Sequence, residues 1–319
     1  MIKNAFKIGL FGTGLDTYWP QFDGLLDSLV AYQREIRENI EERCGVQVID
    51  AGMADNPEKA VEAASVFARE EVNLVFLYVA TYCLSSTILP LAQRIKCPII
   101  VLNLQPAPAI DYDYINGLGD RGKMTGYWLS HCQACSVPEI ACVFNRSGLR
   151  YAIVTGYLKD AVAWKEIAGW VQAARVHRAM KDNRLGILGH YYCGMLDVYT
   201  DITQQAAVFG THLELLEMCE VKKYRDEATE EHIQEKINEF YRVFDVASEC
   251  EPAEIRRAAQ TSVALDKLVE THRLGALAYY YEGINGNDYE NIVTSVIAGN
   301  TLLTGNSVPV AGECEVKNA

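Results

Sequence analysis

The fold is decided by residues 74–104, which read LVFLYVATYCLSSTILPLAQRIKCPIIVLNL. Leu74–Val79 and Ile99–Leu104 are predominantly apolar runs of strand length, and Ser85–Arg94 between them is typical of a short helix. Two buried strands joined through a helix predict parallel pairing, because a parallel connection must cross one face of the sheet. The stretch therefore predicts an α/β domain with helices over its sheet.

The same alternation extends in both directions from this stretch. It begins with a predicted strand at Lys7–Gly12 and starts again at Leu185–Gly189, after the polar residues Lys181–Arg184. We therefore expect two consecutive Rossmann/flavodoxin-like domains, residues 1–182 and 183–319, each with a parallel sheet covered by helices. In the first domain we also expect a long loop at Gln105–Asp120 and a helix at Tyr127–Cys135.

Composition excludes several classes of protein. The chain has 319 residues, 50% of them apolar, and a formal net charge of -13, which argues against a nucleic-acid partner. No apolar run approaches the ~20 residues of a membrane span, so we expect neither a membrane partner nor an export signal. Ten scattered cysteines favour a reduced, cytoplasmic protein in which most cysteines are small buried hydrophobes.

Two glycine-rich stretches invite a nucleotide-binding interpretation. Gly12-Thr13-Gly14 follows a predicted strand, but Thr17 stands where the dinucleotide fingerprint needs its third glycine. Gly117–Thr125 resembles a phosphate-binding loop, but Met124 replaces the Ser or Thr that would reach magnesium. A nucleotide-dependent oxidoreductase is therefore a weaker alternative.

A Cys-x-x-Cys pair lies within His131–Cys135. The spacing suits zinc, yet a structural zinc site needs four ligands and no second pair follows, although Cys142 could add one. Three interpretations stay open here: a zinc site, packing of a helix, or a reactive thiol.

Three later segments follow predicted strands and carry polar or aromatic groups. His190–Asp197 is either ligand-lining or a structural turn, and Tyr279–Glu282 offers either aromatic faces for a sugar ring or simple core packing. Glu313 and Glu315 would point the same way on an extended chain, where two carboxylates attract a cation or share a proton. The alternative for the two glutamates is an ordinary solvated pair.

Together these segments resemble the L-arabinose isomerase family, within the wider L-fucose isomerase-like fold. The resemblance is carried by AIVTGYLKDAVAWKEIAGWVQAA (152–174), LGHYYCGMLDVYTD (188–201), VFGTHLELLEM (208–218), ALAYYYEGI (276–284) and VPVAGECEVKNA (308–319). The last stretch is the most specific, because it is similar to the family motif that carries a metal-binding, catalytic glutamate. That residue is Glu313 in this chain.

The resemblance implies a metal-dependent aldose–ketose isomerase of carbohydrate metabolism, converting L-arabinose to L-ribulose by proton transfer through an enediol. Such enzymes use Mn²⁺ held by two glutamates and two histidines, and they assemble as homo-oligomers, trimers or hexamers. Glu313 is the implied catalytic and metal-binding residue. The implied substrate-binding residues are Met195, Tyr281, His131, Gly14 and Leu15.

The resemblance also implies that members of the family continue beyond the position that matches Ala319. The second glutamate, both metal histidines and a β-rich third domain would lie in that continuation. We therefore expect this chain alone to be inactive as an isomerase, since one carboxylate is too small a ligand set for Mn²⁺. The alternative is a non-catalytic, two-lobed sugar-binding protein.

Overall fold

The computed structural model describes residues 5–319. The chain divides into two units, which we call unit 1 (to Arg178) and unit 2 (from Ala179). The division falls inside one long helix, a few residues before the polar segment at which the sequence predicts the boundary. Each unit is built around its own parallel sheet, as expected for an α/β chain.

In its described residues, unit 1 contains five strands and seven helices. The strands are β1 (Lys7–Thr13), β2 (Gln47–Ala54), β3 (Leu74–Val79), β4 (Ile99–Gln105) and β5 (Tyr151–Tyr157). The helices are α1 (Leu25–Cys44), α2 (Pro57–Glu70), α3 (Ser85–Ala92), α4 (Tyr112–Gly117), α5 (Arg121–Leu129), α6 (Val137–Arg146) and α7 (Ala161–Asp182). Short 3-10 turns occur at Asp16–Tyr18 and Gln133–Cys135.

The sheet of unit 1 has the order β2-β1-β3-β4-β5, with every pair parallel. This is the flavodoxin-like order, in which the direction of winding reverses between β1 and β3. All six residues of β3 are buried, because helices cover both faces of this central strand. Two apolar clusters fill the two sides, one around Ile36 and Trp164 and the other around Phe67 and Phe144.

Unit 2 contains four strands and six helices. The strands are β6 (Arg184–Gly189), β7 (His212–Leu216), β8 (Ala276–Tyr280) and β9 (Val310–Ala311). The helices are α8 (Ile202–Phe209), α9 (Met218–Asp226), α10 (Glu230–Val243), α11 (Pro252–His272), α12 (Asp288–Val293) and α13 (Ile297–Gly305), and a 3-10 turn follows at Gly312–Cys314. The parallel sheet has the order β7-β6-β8-β9, so its winding reverses between β6 and β8.

Local sequence signals account for several helix ends. The side chain of Asn56 accepts a hydrogen bond from the Lys59 N–H, and Pro57 occupies the first turn of α2. Asp120 and Asp201 cap α5 and α8 in the same way. These caps fix the residue at which each helix begins.

The structure differs from the predicted elements in several places. The predicted loop 105–120 contains the helix α4, which Asp111 caps. The predicted helix 127–135 ends at Leu129 and gives way to a 3-10 turn. Helix α9 forms where no helix was predicted, because only Met218 and Val221 bury a side chain there and the apolar pattern is correspondingly weak.

The cysteines also differ from expectation. Cys132 and Cys135 form a disulfide, whereas the sequence favours a reduced protein. Among the free cysteines of residues 5–319, Cys83 and Cys314 are buried, but Cys142, Cys193, Cys219 and Cys250 are exposed. The expectation that most cysteines are buried hydrophobes is therefore wrong.

Within residues 5–319, none of the helices combines the length and the apolar character that crossing a bilayer requires.

Candidate functional site

The candidate site lies in unit 2, at the carboxyl ends of β6, β8 and β9. In open parallel α/β sheets, ligands bind beyond the carboxyl ends of the strands at the point where the winding reverses. The reversal between β6 and β8 puts that point at Gly189 and Tyr280, which are register partners. The two segments for which the sequence left a ligand-binding role open therefore meet at one edge.

Gly189 makes this close meeting possible. It has a φ of 88°, and a Cβ atom at this position would overlap the carbonyl oxygen of Tyr280. A left-handed conformation and a near backbone neighbour together require glycine. The next residue, His190, donates its backbone N–H to the same Tyr280 oxygen at 3.0 Å.

The imidazole of His190 is exposed and oriented by its own loop. Its Nδ1 lies 2.9 Å from the Tyr191 carbonyl oxygen, which can only accept, so Nδ1 carries the proton. In the neutral ring, Nε2 is then the nitrogen that can accept a hydrogen bond or a proton. The ring meets Tyr280 edge-on, with centroids 5.4 Å apart, and Tyr281 at 5.9 Å.

Tyrosine rings cluster at this edge of the sheet. Tyr192 and Tyr280 lie with their ring centroids 4.7 Å apart, and Tyr281 packs against Tyr289 at 5.5 Å. Partial burial raises the pKa of the Tyr280 hydroxyl, and the neighbouring charges of Glu282 and Glu313 raise it further. The hydroxyl of Tyr280 therefore stays protonated, and able to donate, throughout the neutral pH range.

Glu313 follows β9 in an unusual backbone conformation. Its φ is 56° and that of Cys314 is 61°, so two successive residues other than glycine are left-handed. The carbonyl oxygen of Glu313 accepts from the Tyr192 N–H at 3.4 Å, and the buried Cys314 anchors the turn. Such conformations cost of order 1–3 kcal/mol and concentrate at functional sites.

The predicted alignment of Glu313 and Glu315 is wrong. It assumes an extended chain, but residues 312–314 form a 3-10 turn instead. Glu315 accepts a hydrogen bond from the amide of Asn318, while the side chain of Glu313 is exposed near Tyr280. The two carboxylates therefore belong to different local environments.

Two of the predicted substrate-binding residues, Tyr281 and Met195, lie at the candidate site in unit 2. Tyr281 contacts His190, and Met195 lies in the loop that carries Tyr192, with its N–H donating to the Tyr192 carbonyl oxygen at 3.3 Å. Sequence reasoning did not assign His190, Tyr192 or Tyr280 individually. Their signal was positional, since each lies at or just beyond the end of a strand.

The other predicted residues lie in unit 1, near the ends of β1 and β3. A Cβ atom on Gly14 would lie 2.8 Å from the Trp19 ring and 3.5 Å from Thr81, and Leu15 begins the following turn. His131 stacks on Tyr127 with centroids 4.5 Å apart, and its Nδ1 lies 3.0 Å from the Tyr127 carbonyl oxygen.

Thr81 joins these two parts of unit 1. Its hydroxyl donates to the Leu129 carbonyl oxygen at 2.7 Å, which ties the segment before His131 to the loop after β3. Gly14 and His131 therefore belong to the same end of this sheet. Their roles in binding a substrate stay a prediction.

Unit 1 also bears on the nucleotide-binding alternative. The acid at the end of β2, Asp55, is buried and engaged by the Trp19 indole N–H at 2.8 Å and by Lys59 at 2.8 Å. Residues 117–125 run from the end of α4 into the first half of α5, and no strand leads directly into them. A phosphate-binding loop needs a preceding strand, so this arrangement disfavours that interpretation.

The metal implied by the resemblance has no matching ligand set in residues 5–319. Within this range no group of three or more His, Cys, Asp or Glu side chains is arranged to hold a metal ion. Manganese prefers several oxygen and nitrogen ligands, and Glu313 supplies one carboxylate. The described residues by themselves therefore do not fit a Mn²⁺ site.

The chain matches no family model, and no curated protein shows significant similarity to it.

Proposed function

We propose that this chain binds a small sugar at the carboxyl edge of the unit 2 sheet, as the substrate-recognition part of an aldose–ketose isomerase. The observation that supports this most directly is the convergence of Tyr192, Tyr280, His190 and Glu313 at the ends of β6, β8 and β9. The convergence lies where parallel sheets of this order bind ligands.

The side chains suit a polyhydroxylated ligand. The C–H-rich face of a sugar ring packs on an aromatic face, which the tyrosines supply. Glu313 accepts hydrogen bonds from hydroxyl groups, and the protonated Tyr280 hydroxyl donates one. A few polar groups beside aromatic side chains match the usual composition of a small-molecule site.

The isomerase assignment depends on Glu313. A carboxylate beside the C1–C2 bond of an aldose could take the proton from C2 and return it at C1. Because the described residues do not fit a Mn²⁺ site, we expect the chain alone to bind sugar without turning it over. Assembly of the chain into a homo-oligomer stays a prediction.

The missing metal ligand set within residues 5–319 favours a second candidate, a non-catalytic two-lobed sugar-binding protein. The two candidates differ in what they must bind. An isomerase site must accept both aldose and ketose, since the forward and reverse reactions use the same residues. A binding protein is free to select one sugar form.

The test is titration calorimetry of the full chain with L-arabinose and with L-ribulose, in EDTA and then with added Mn²⁺. We expect both sugars to bind in EDTA, to compete for one site, and to have affinities within about tenfold of each other. The variants Tyr280→Ala and Glu313→Gln should weaken both. Tyr241→Ala, on the exposed side of α10, is the matched control.

Each outcome decides between the candidates. Binding of the aldose alone, unchanged in Glu313→Gln, would favour the non-catalytic protein. Binding of neither L-arabinose, L-fucose nor a panel of D-sugars would contradict both. Ketose formation by the chain with Mn²⁺ would confirm an isomerase and show that our expectation of inactivity is wrong.

A further inference from the structure

The disulfide of unit 1 lies in the loop between α5 and α6. Cys132 and Cys135 are joined with their Cα atoms 5.5 Å apart, within the usual range for a disulfide. The remaining eight cysteines of residues 5–319 are free. A bridge that closes so short a loop is the arrangement found in Cys-x-x-Cys redox pairs.

The two sulfur-bearing residues differ in exposure. Cys132 is 2% exposed, whereas Cys135 belongs to the exposed class. Thiol–disulfide exchange begins when a thiolate attacks one sulfur directly, so access decides which sulfur is attacked. An external thiol can therefore reach Cys135, and the sulfur of Cys132 becomes the leaving group.

Buried hydrogen bonds hold the loop independently of the bridge. Gln133 is fully buried, and its amide donates to the carbonyl oxygens of Ala80 and Ser130, both at 2.9 Å. The Ser136 hydroxyl accepts from the Cys83 N–H at 2.8 Å and donates to the Cys83 carbonyl oxygen at 3.0 Å. These bonds fix the backbone on both sides of Cys135 and keep the thiols close after reduction.

Gln105, the last residue of β4, adds a further restraint. In the amide orientation that satisfies both of its groups, it donates to the His131 carbonyl oxygen and to Gln133 Oε1, each at 2.8 Å, and accepts from the Ala134 N–H at 3.1 Å. The loop is thus fastened to the ends of β3 and β4. A pre-organised pair re-forms its bond at low entropic cost.

Cys135 lies close to the start of α6 in the sequence. Cys135 lies two residues before Val137, the first residue of this ten-residue helix. No side chain caps the helix, since the Ser136 hydroxyl is engaged by Cys83.

From these observations we propose that Cys132 and Cys135 form a reversible thiol–disulfide exchange site for thiols of the glutathione class. A thiolate attacks the Sγ of Cys135, the bridge breaks, and the Sγ of Cys132 leaves with the electron pair and takes up a proton. A second thiol attacks the external sulfur of the mixed disulfide, which releases the Cys135 thiol and an external disulfide. The protein gains two electrons and two protons, and the two thiols supply them.

This proposal does not depend on sugar binding. The test equilibrates the full chain in buffers of graded glutathione to glutathione-disulfide ratio, quenches with acid, alkylates free thiols and maps peptides by mass spectrometry. We expect the linked and doubly alkylated forms of the 132/135 peptide to interconvert fully and reversibly across the series. A pair that stays linked in the most reducing buffer, or is never linked in the most oxidising one, would overturn the proposal.

Two variants identify the attacked sulfur. In oxidising buffer, Cys132→Ser should accumulate a glutathione adduct on Cys135, because no partner thiol remains to displace it. Cys135→Ser should leave the buried Cys132 unmodified. The exposed Cys142 is the internal control, with the same adduct level in wild type and variants. Equal modification of Cys135 in wild type and in Cys132→Ser would contradict the assignment of Cys135 as the attacked sulfur. If a variant fails to fold, the titration of the wild-type chain still tests whether the exchange is reversible.

Discussion

Gly189 and Tyr280 approach so closely at the ends of β6 and β8 that a Cβ atom on Gly189 would overlap the Tyr280 carbonyl oxygen. That oxygen accepts the His190 N–H, so the contact between two backbones positions the histidine of the candidate site. The geometry of the site thus depends on a residue that offers no functional group of its own.

Replacing Gly189 by alanine should disrupt this edge of the sheet. A left-handed backbone and the overlap together predict a loss of about 2–3 kcal/mol in the free energy of unfolding, with loss of sugar binding. Gly194 is the matched control, since its φ is 92° but a Cβ atom there meets nothing within 4 Å. Gly194→Ala should cost only about 1–2 kcal/mol, from the backbone alone. Urea unfolding monitored by circular dichroism measures the free energy of unfolding of both variants. Equal losses in the two variants would show that the overlap is unimportant.

Tyr280 should contribute its ring to sugar binding more than its hydroxyl. Tyr280→Phe keeps the aromatic face against His190 and Tyr192 and should change sugar affinity by less than about threefold, whereas Tyr280→Ala should weaken it at least about tenfold. Calorimetric titration with L-arabinose gives both numbers. If the phenylalanine variant binds as weakly as the alanine variant, the hydroxyl and not the ring carries recognition.

We expect the left-handed backbone of Glu313 to lower the stability of the protein while its carboxylate serves sugar binding. Asparagine tolerates its left-handed backbone better than glutamate, so Glu313→Asn should raise the free energy of unfolding by about 0.5 kcal/mol while weakening sugar binding. Ser307, exposed with a φ of 65°, gives the control. Ser307→Asn should stabilise similarly and leave binding unchanged. A destabilised Glu313→Asn would mean that its side chain serves the fold.

The hydrogen bond from Trp19 to Asp55 should stabilise unit 1. Trp19→Phe removes the indole N–H that donates to the buried Asp55 carboxylate and should cost about 1.5–3 kcal/mol. Trp128, 42% exposed, is the control, and Trp128→Phe should change stability by less than about 0.5 kcal/mol. All four tryptophans lie in unit 1, so fluorescence during urea unfolding reports on this unit. Equal effects of the two substitutions would contradict a structural role for the hydrogen bond.

The loss of stability of the protein at low pH should depend on Glu214 in β7. A hydrogen bond from His212, together with the charges of Arg184 and His272, lowers its pKa below the ordinary 4.5. A lowered carboxyl pKa gives stability that is present above pH 4.5 and is lost as the pH falls through the lowered pKa. Glu214→Gln should therefore be less stable than wild type at pH 7, and it should lose less of its stability than wild type as the pH falls.

Urea midpoints measured from pH 7 to pH 3 test this, with Glu235→Gln on the exposed side of α10 as the control. The control should follow wild type. Parallel curves for wild type and Glu214→Gln would show that the ion cluster does not set the acid sensitivity.

Much of the fold of unit 1 could be predicted because its central strands, β1, β3 and β4, are buried on both faces. The run at Leu74–Val79 has no alternative to a central strand, and Asn56 followed by Pro57 marks a helix start unambiguously. Helix α9 escaped prediction because its polar sequence buries only two side chains. Its stability comes from packing on α11, which a local pattern does not encode.

The candidate site could be predicted only in outline. Strand ends were expected to bind ligands, but the meeting of His190 with Tyr280 depends on the register of β6 against β8, which is a tertiary property. The turn at Glu313 could not be predicted, because nothing in the local sequence indicates two successive left-handed residues other than glycine. The spacing of Cys132 and Cys135 likewise left zinc, packing and redox chemistry open until their side chains were located.

The central claim is that a sugar ring rests on the tyrosines at the carboxyl edge of the unit 2 sheet. The most direct measurement is ¹⁹F NMR of the full chain, with its 18 tyrosines replaced by fluorotyrosine and titrated with L-arabinose in EDTA. Signals are assigned with single Tyr→Phe variants. We predict saturable shifts for Tyr280 and Tyr192 and none for Tyr241. An unmoved Tyr280 signal at saturating sugar would contradict the claim.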